Sequence, residues 1–180
     1  MIKTIISAYF YLALLGDMAI IVVVVMALVK IFGKVKYLDK LKRFLAPKSY
    51  SLAFLLSLIA TLASLFLSEV ARLQPCILCW YQRIFMYPQP LLYYIGLIRR
   101  EKVLKPYLLT INIIGAAVAA YHYLLQIMPR SVYAPCSSDL SGVSCIKGYK
   151  FYFGFMSFPL MSMTVFILLI ILLLFSKEKR

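Results

Sequence analysis

Two cysteines with two residues between them give this 180-residue chain a group that can do redox chemistry. Cys76 and Cys79 lie where one apolar stretch ends and the next begins, within the sequence PCILCWYQR. Such a pair can close into a small disulfide ring or open to two thiols, and so it can exchange two electrons with a partner. Its place at the edge of an apolar stretch predicts electron transfer between a partner in the aqueous phase and a molecule dissolved in lipid.

The composition indicates an integral membrane protein. Hydrophobic residues make up 64% of the chain, against roughly half in soluble domains. The formal net charge is +14, but the basic residues stand in short blocks between apolar stretches. Such blocks are typical of membrane topology and of contact with anionic lipid. We therefore expect the lipid bilayer as a partner, and no nucleic acid.

Five apolar stretches are each close to the ~20 residues that a helix needs to cross a bilayer. Each should be helical, because lipid cannot satisfy open backbone N–H and C=O groups. The third contains Pro88 and Pro90 besides polar residues, which predicts a kinked helix packed among its neighbours. The five predicted spans are Ile5–Ile31, Ser51–Leu67, Trp80–Ile98, Tyr107–Met128 and Tyr152–Phe175.

Basic residues predict the orientation of these spans. They follow the first, third and fifth spans, which by the positive-inside rule places those segments in the cytoplasm. The N-terminus and the two cysteine-bearing loops are then on the extracytoplasmic side of the cell membrane. Disulfides persist in that compartment. The four cysteines thus sort into two pairs on one side, Cys76 with Cys79 and Cys136 with Cys145.

Inert disulfides and a zinc site are the simpler explanations of these pairs. A structural disulfide is an open alternative for Cys136 and Cys145, whereas a ring across two residues closes too little chain to stabilise much. The long separation between the pairs fits none of the usual zinc spacings, and His122 does not complete a better set. We therefore expect no metal.

Local chemistry favours Cys79 as the reactive thiol. A cysteine at the start of a helix has its thiolate stabilised by open backbone N–H groups and by the helix dipole. Arg83 follows one turn later, so its guanidinium can lower the pKa of the thiol and hold a developing negative oxygen. His122, in the fourth span, falls in the same outer layer of the membrane. It is either a member of the site or a buried structural histidine.

The sequence PCILCWYQRI, followed by MYP, closely resembles the signature of the DsbB/BdbC family of disulfide-bond formation proteins. Three further segments occur in the family's order. They are HYLLQ from His122, the loop pair Cys136 and Cys145, and FGF with a following proline from Phe153. The similarity covers about residues 50–176, and this combination of motifs is highly specific.

The resemblance implies a thiol:quinone oxidoreductase. In this family an extracytoplasmic thioredoxin-fold thiol oxidase (DsbA/BdbD-like) is reoxidised, and the electrons pass to a membrane quinone, menaquinone or ubiquinone. By position, Cys136 would be attacked by the partner's thiolate. Cys145 would then exchange with Cys76, and Cys79 would face the quinone. The residues that would bind the quinone are Cys79, Arg83, His122, Gln82 and Trp80.

Two alternatives to this enzyme are open at the level of sequence. One is a non-catalytic membrane scaffold whose outer loops are held by two disulfides. The other is a quinone reductase similar to vitamin-K-epoxide reductase. In that family the loop pair precedes the membrane pair, and here the order is reversed.

The family usually has four helices, and this chain has one more. We therefore predict an all-α integral membrane fold, a DsbB-like four-helix bundle plus one extra N-terminal transmembrane helix. Residues 1–33 would form the extra helix, 34–49 a basic amphipathic segment on the cytoplasmic face, and 50–180 the DsbB-like domain. Asp17 lies near the middle of the extra helix, where a carboxyl needs a partner, a proton or water. The sequence indicates no specific partner for it.

Overall fold

The computed structural model describes residues 2–32, 36–99, 104–128, 145 and 155–176. These residues form seven α-helices and no β-strand. A π-helical turn, Phe66–Val70, extends the third helix toward the cysteines. The helices are α1 (Ile2–Phe32), α2 (Lys36–Leu45), α3 (Ser49–Leu65), α4 (Ile77–Met86), α5 (Gln89–Arg99), α6 (Leu104–Ile127) and α7 (Phe158–Phe175).

Four helical segments of the described chain are long and apolar enough to cross a bilayer. They correspond to four of the five predicted spans, and the all-α membrane fold is confirmed. The last one starts six residues later than predicted, at Phe158, and Pro159 lies in its first turn, where the missing N–H of proline breaks no helical hydrogen bond. The four segments are Ser7–Met26, Ser49–Val70, Leu104–Ile127 and Phe158–Phe175.

The predicted third span is divided between α4 and α5. The division lies at Tyr87 and Pro88, since proline has no N–H to donate to the preceding turn. The side-chain amide of Gln89 donates to the carbonyl of Phe85 at 2.9 Å and so supplies a donor at the break. Neither helix alone is long enough to span a bilayer, and a crossing by both together, with the orientation of the chain, stays a prediction.

The core of the bundle lies between α3, α5, α6 and α7. Fully buried apolar side chains meet there, and the amide of Asn112 donates to the hydroxyl of Tyr93 at 3.2 Å within the same layer. Asn112 also donates to the carbonyl of Leu108 at 2.7 Å, so its amide group is held inside the bundle. The buried members of this cluster are Ala53, Tyr93, Leu108, Leu169 and Leu173.

Close packing of α6 against α7 depends on Gly115. A Cβ at this position would lie 2.5 Å from two ring atoms of Phe166, which is fully buried. We expect Gly115→Ala to lower the free energy of unfolding by about 1–3 kcal/mol, because the ring must move in a packed core. Thermal unfolding in detergent would measure this loss, with Ala117→Val on the exposed face of α6 as the control. A Gly115→Ala protein as stable as wild type would contradict the packing.

The N-terminal helix α1 packs against α7. Gly16 allows the approach, since a Cβ there would lie 2.9 Å from Cγ2 of Thr164. The hydroxyl of Thr164 also hydrogen-bonds the carboxylate of Asp17. No partner for this acid could be identified from the sequence, and the structure provides one on the neighbouring helix. The opposite face of α1 carries exposed apolar side chains such as Leu15 and Val22, as expected for contact with lipid.

Candidate redox site

The two cysteines of the CxxC motif lie at the start of α4. Cys76 is the N-cap residue in an extended conformation, and its carbonyl accepts the N–H of Trp80 at 3.1 Å. Cys79 therefore falls in the first turn, above its partner. The two sulfurs are 3.4 Å apart, with the thiol of Cys76 donating to Cys79. A disulfide requires about 2.05 Å, so the pair is a dithiol in this structure.

The S–H···S hydrogen bond gives the two cysteines different pKa values. Both precede the predicted span that begins at Trp80. The pKa of Cys79 lies below its ordinary value, chiefly because the S–H of Cys76 stabilises the Cys79 thiolate. For the same reason, and because it is buried, Cys76 has its pKa raised to about 12. Arg83 also lowers the pKa of Cys79, but its charge has a smaller effect than the hydrogen bonds between Cys79 and Cys76.

This asymmetry predicts the order of alkylation. In the fully reduced protein we expect iodoacetamide to modify Cys79 first and with a pH midpoint below 9.0, the ordinary value for the thiol. Cys76 should react only as the pH rises well above 9.0, since its thiolate forms later. Peptide mapping by mass spectrometry across a pH series would measure both. Equal pH dependence at the two cysteines, or Cys76 reacting first, would contradict the assignment.

His122 on α6 is fully buried against the first cysteine. Its Nε2 lies 3.6 Å from the sulfur of Cys76, and its Nδ1 lies 2.9 Å from the amide nitrogen of Gln82. With the amide in this orientation, Gln82 donates to Nδ1, so Nε2 carries the hydrogen and directs it to the sulfur. Gln82 thus sets the tautomer of His122. The arrangement stabilises negative charge on Cys76.

Cys145 is the described member of the second cysteine pair, and Cys136 lies outside the described residues. The side chain of Cys145 is buried. The ligand atoms of Cys145, Cys76 and His122 lie within 4.8 Å of one another. Two sulfurs at this separation need only a small movement to form a disulfide. Cysteine and histidine are also common zinc ligands, and the linear spacing of the motifs did not predict that these three side chains meet.

Arg83 is positioned from two sides. Its Nη2 donates to the carbonyl of Ser64 on α3 at 3.2 Å. Its guanidinium carbon lies 5.2 Å from the ring centroid of Trp80, which is a cation–π contact. Trp80 itself is about half exposed and does not line the cavity described next. The structure shows its contact with Arg83, and a contact of Trp80 with the quinone stays a prediction.

A cavity of about 390 Å³ lies beside these residues, between α3, α4, α6 and the start of α7. This volume is within the range of small-molecule sites, ~300–1,000 Å³. Most of its wall is apolar, and the polar groups concentrate around the cysteines. The predicted site residues that line it are Cys76, Cys79, Gln82, Arg83, His122 and Cys145.

Several other polar side chains line the cavity and were not predicted, among them Gln126 and Ser157. The Oε1 atom of Gln126 and the Oγ atom of Ser157 are buried and have no hydrogen-bond partner within the described part of the chain. Gln126 follows His122 by four residues, so helical spacing could have placed it on the same face. Ser157 carried a signal only for the start of a helix, since it precedes Phe158 and Pro159.

Comparison with known proteins agrees with this arrangement. Residues 47–176 match the family model described as disulfide bond formation protein DsbB. The chain is 41% identical over 120 residues to the SPbeta prophage-derived disulfide bond formation protein B of Bacillus subtilis, covering 67% of this chain and 79% of that protein. It is 40% identical over 129 residues to disulfide bond formation protein C of the same organism, covering 71% and 91%.

A third relative is the probable disulfide formation protein C 2 of Bacillus anthracis, 38% identical over 130 residues, with 72% of this chain and 91% of that protein covered. No solved structure gives a significant match. The matched region includes all four cysteines and leaves out α1 and α2. The resemblance seen in the motifs is therefore confirmed, and the chain belongs to the DsbB family of disulfide bond formation proteins, which are membrane oxidoreductases.

Proposed function

We propose that this protein is a thiol:quinone oxidoreductase that reoxidises an extracytoplasmic thioredoxin-fold thiol oxidase and delivers the electrons to a membrane quinone. The observation that carries the proposal is the position of Cys79 and Arg83. Both line a mostly apolar cavity, and Cys76 and Cys145, whose sulfurs lie within 4.8 Å of each other, line the same cavity. A thiol relay with a lipid-soluble acceptor needs this continuity. The relatives are named for disulfide formation, which supports redox use of these cysteines over a fixed zinc site.

The proposed relay begins with both cysteine pairs closed as disulfides. A partner thiolate attacks Cys136, forms a mixed disulfide and releases Cys145 as a thiolate. Cys145 attacks Cys76, which forms the disulfide Cys76–Cys145 and releases the Cys79 thiolate. The second thiol of the partner then resolves the mixed disulfide and releases Cys136. The partner leaves oxidised, and this chain has gained two electrons and two protons.

The second half of the cycle returns the chain to its starting state. Cys136 attacks Cys145 and releases Cys76, so the relay again has its loop disulfide and a Cys76–Cys79 dithiol. A bound quinone would accept two electrons and two protons from that dithiol and leave as quinol. His122 Nε2–H points at Cys76 and stabilises its sulfur as the leaving thiolate. Arg83 would hold the quinone oxygen next to Cys79.

The rest of the chain would position this site in the membrane. We propose that the cysteine loops face the extracytoplasmic side, as the basic segments indicate. Residues 1–33 would act as an extra membrane anchor docked on α7, and residues 34–49 as a basic segment on the cytoplasmic face. In α2 the side chains of Lys40, Lys42 and Arg43 are exposed, which suits contact with anionic headgroups.

The proposal is tested with the full chain in lipid nanodiscs. A reduced thioredoxin-fold dithiol protein is added with a short-tailed menaquinone or ubiquinone analogue, and the quinone absorbance is followed. We expect one quinone to be reduced for each disulfide formed in the partner. The analogue that is reduced faster identifies the class of quinone that accepts the electrons. Quinone absorbance that does not depend on the partner would overturn the proposal and favour the disulfide-held scaffold.

A further inference from the structure

Ser157 is a helix N-cap residue that does not cap its helix. Serine at this position normally accepts a hydrogen bond from a backbone N–H of the first turn. Here the side chain makes no capping bond, and its hydroxyl is buried without a partner among the residues that the structure describes. The residue is 3% exposed. A buried hydroxyl without a partner is costly, so the structure carries an open hydrogen-bonding group at this point.

This hydroxyl belongs to the wall of the cavity beside Cys79. The first turn of α7 contributes Ser157, Phe158 and Pro159 to the wall. The helix runs for 18 residues, and its first backbone N–H groups carry partial positive charge. An oxygen that becomes negative is therefore stabilised at this end of the cavity. The unpartnered hydroxyl and the helix terminus point to the same kind of ligand atom.

We propose that Ser157 and the N-terminus of α7 bind the second oxygen of the quinone, the one remote from Arg83. This inference rests on the proposed function and extends it. A para-quinone has oxygens at opposite ends of its ring, so two separate polar groups must hold it. Arg83 on α4 supplies one, and Ser157 on a different helix supplies the other.

The chemistry of the two redox forms fits a hydroxyl group. Ser157 can donate to the carbonyl oxygen of the quinone, and it can accept from the hydroxyl of the quinol. The same side chain thus serves the acceptor before reduction and the product after it. The N-terminus of α7 stabilises the negative charge that arises on this oxygen as electrons arrive, before the proton follows.

Quinone binding to the oxidised protein tests the inference without turnover. Trp80 is the only tryptophan, so quenching of its fluorescence by a short-tailed, fully ring-substituted quinone gives a dissociation constant in detergent. For Ser157→Ala we expect about five- to tenfold weaker binding, which is the effect of one net hydrogen bond. The KM for quinone should rise by a similar factor, with a smaller change in kcat. Ser57→Ala, a buried serine outside the cavity that donates to the carbonyl of Phe54, is the matched control.

A second pair of variants distinguishes the effect of the hydroxyl group from the effect of side-chain volume. Threonine and valine have nearly the same size, but only Ser157→Thr keeps the hydroxyl group. We therefore expect near-normal quinone affinity for Ser157→Thr and weaker binding for Ser157→Val. This comparison stands even if Ser157→Ala folds poorly. If the Thr and Val variants bind quinone with equal affinity while the wild-type protein reduces quinone, this inference alone is overturned. A wild-type protein that reduces no quinone would overturn the proposed function instead.

Discussion

A Cys79→Ser variant is expected to lose partner-dependent quinone reduction by about 10⁴-fold or more, as enzymes do when a covalent nucleophile is removed. The serine hydroxyl can occupy the same place in the first turn of α4, but it can neither form a disulfide nor carry electrons. Cys76 and Cys145 are expected to keep their positions, because the serine hydroxyl can still accept the hydrogen bond that Cys76 donates to Cys79. The rate of quinone absorbance loss in nanodiscs with the reduced partner measures this effect.

The same variant supplies its own control for folding. Cys79→Ser should bind quinone with close to wild-type affinity, as judged by the fluorescence of Trp80, and its thermal unfolding should match that of wild type. Loss of turnover with binding retained assigns the defect to electron transfer. Full quinone reduction by Cys79→Ser would rule out Cys79 as the quinone-facing thiol.

The second large effect is expected at Arg83. Replacement by methionine removes the only described guanidinium in the cavity wall, and we expect kcat/KM for quinone to fall about 10²- to 10³-fold, as for loss of an oxyanion donor. Methionine retains much of the packing volume against Trp80. It loses the donor to the carbonyl of Ser64, which is part of the α3–α4 contact. Arg83→Lys keeps the charge without the planar fork and should retain intermediate activity.

Stability measurements and a surface variant control this result. Arg43→Met removes an exposed arginine of α2 far from the cysteines and should leave kcat/KM unchanged. The Arg83→Met protein should show a reduced rate of quinone reduction while its loop pair still exchanges with the partner. A fall of less than threefold in kcat/KM would show that Arg83 serves only to connect α3 and α4.

Much of the site could be predicted from sequence because its chemistry is local. Cys76, Cys79 and Arg83 lie within about two turns of one segment, so helical spacing alone relates them. The pKa difference within the pair could not be predicted in this way. It depends on which thiol donates the S–H···S bond, and therefore on the rotamers that the fold imposes.

Contacts between segments that are distant in the sequence were harder to predict. The approach of Cys145 to His122 joins a loop to α6, and only tertiary structure reveals it. Likewise, the serine of an S-x-P sequence indicates a helix start, and nothing in the sequence shows that Ser157 leaves its own helix uncapped. The partner of Asp17 lies on α7, 147 residues later, so no local pattern could identify Thr164.

The helices themselves followed from apolar length, and their ends depended on local chemistry. Pro88 was predicted to kink the third span, and the structure divides that span at this residue into α4 and α5. The second span was predicted to end at Leu67. It continues to Val70 through a π-helical turn, after which Arg72 adopts a φ of 52° and turns the chain toward Cys76.

The proposed relay from the loop pair through Cys76 to Cys79 is tested most directly by trapping the intermediate in which the partner is still bound as a mixed disulfide. The oxidised protein is mixed, without quinone, with a thioredoxin-fold partner whose resolving cysteine is replaced by serine, and then acid-quenched, alkylated and mapped by mass spectrometry. We expect the partner bound to Cys136, a disulfide between Cys76 and Cys145, and an alkylated Cys79. A mixture in which Cys76 remains joined to Cys79 while the partner is bound to Cys136 would contradict the relay.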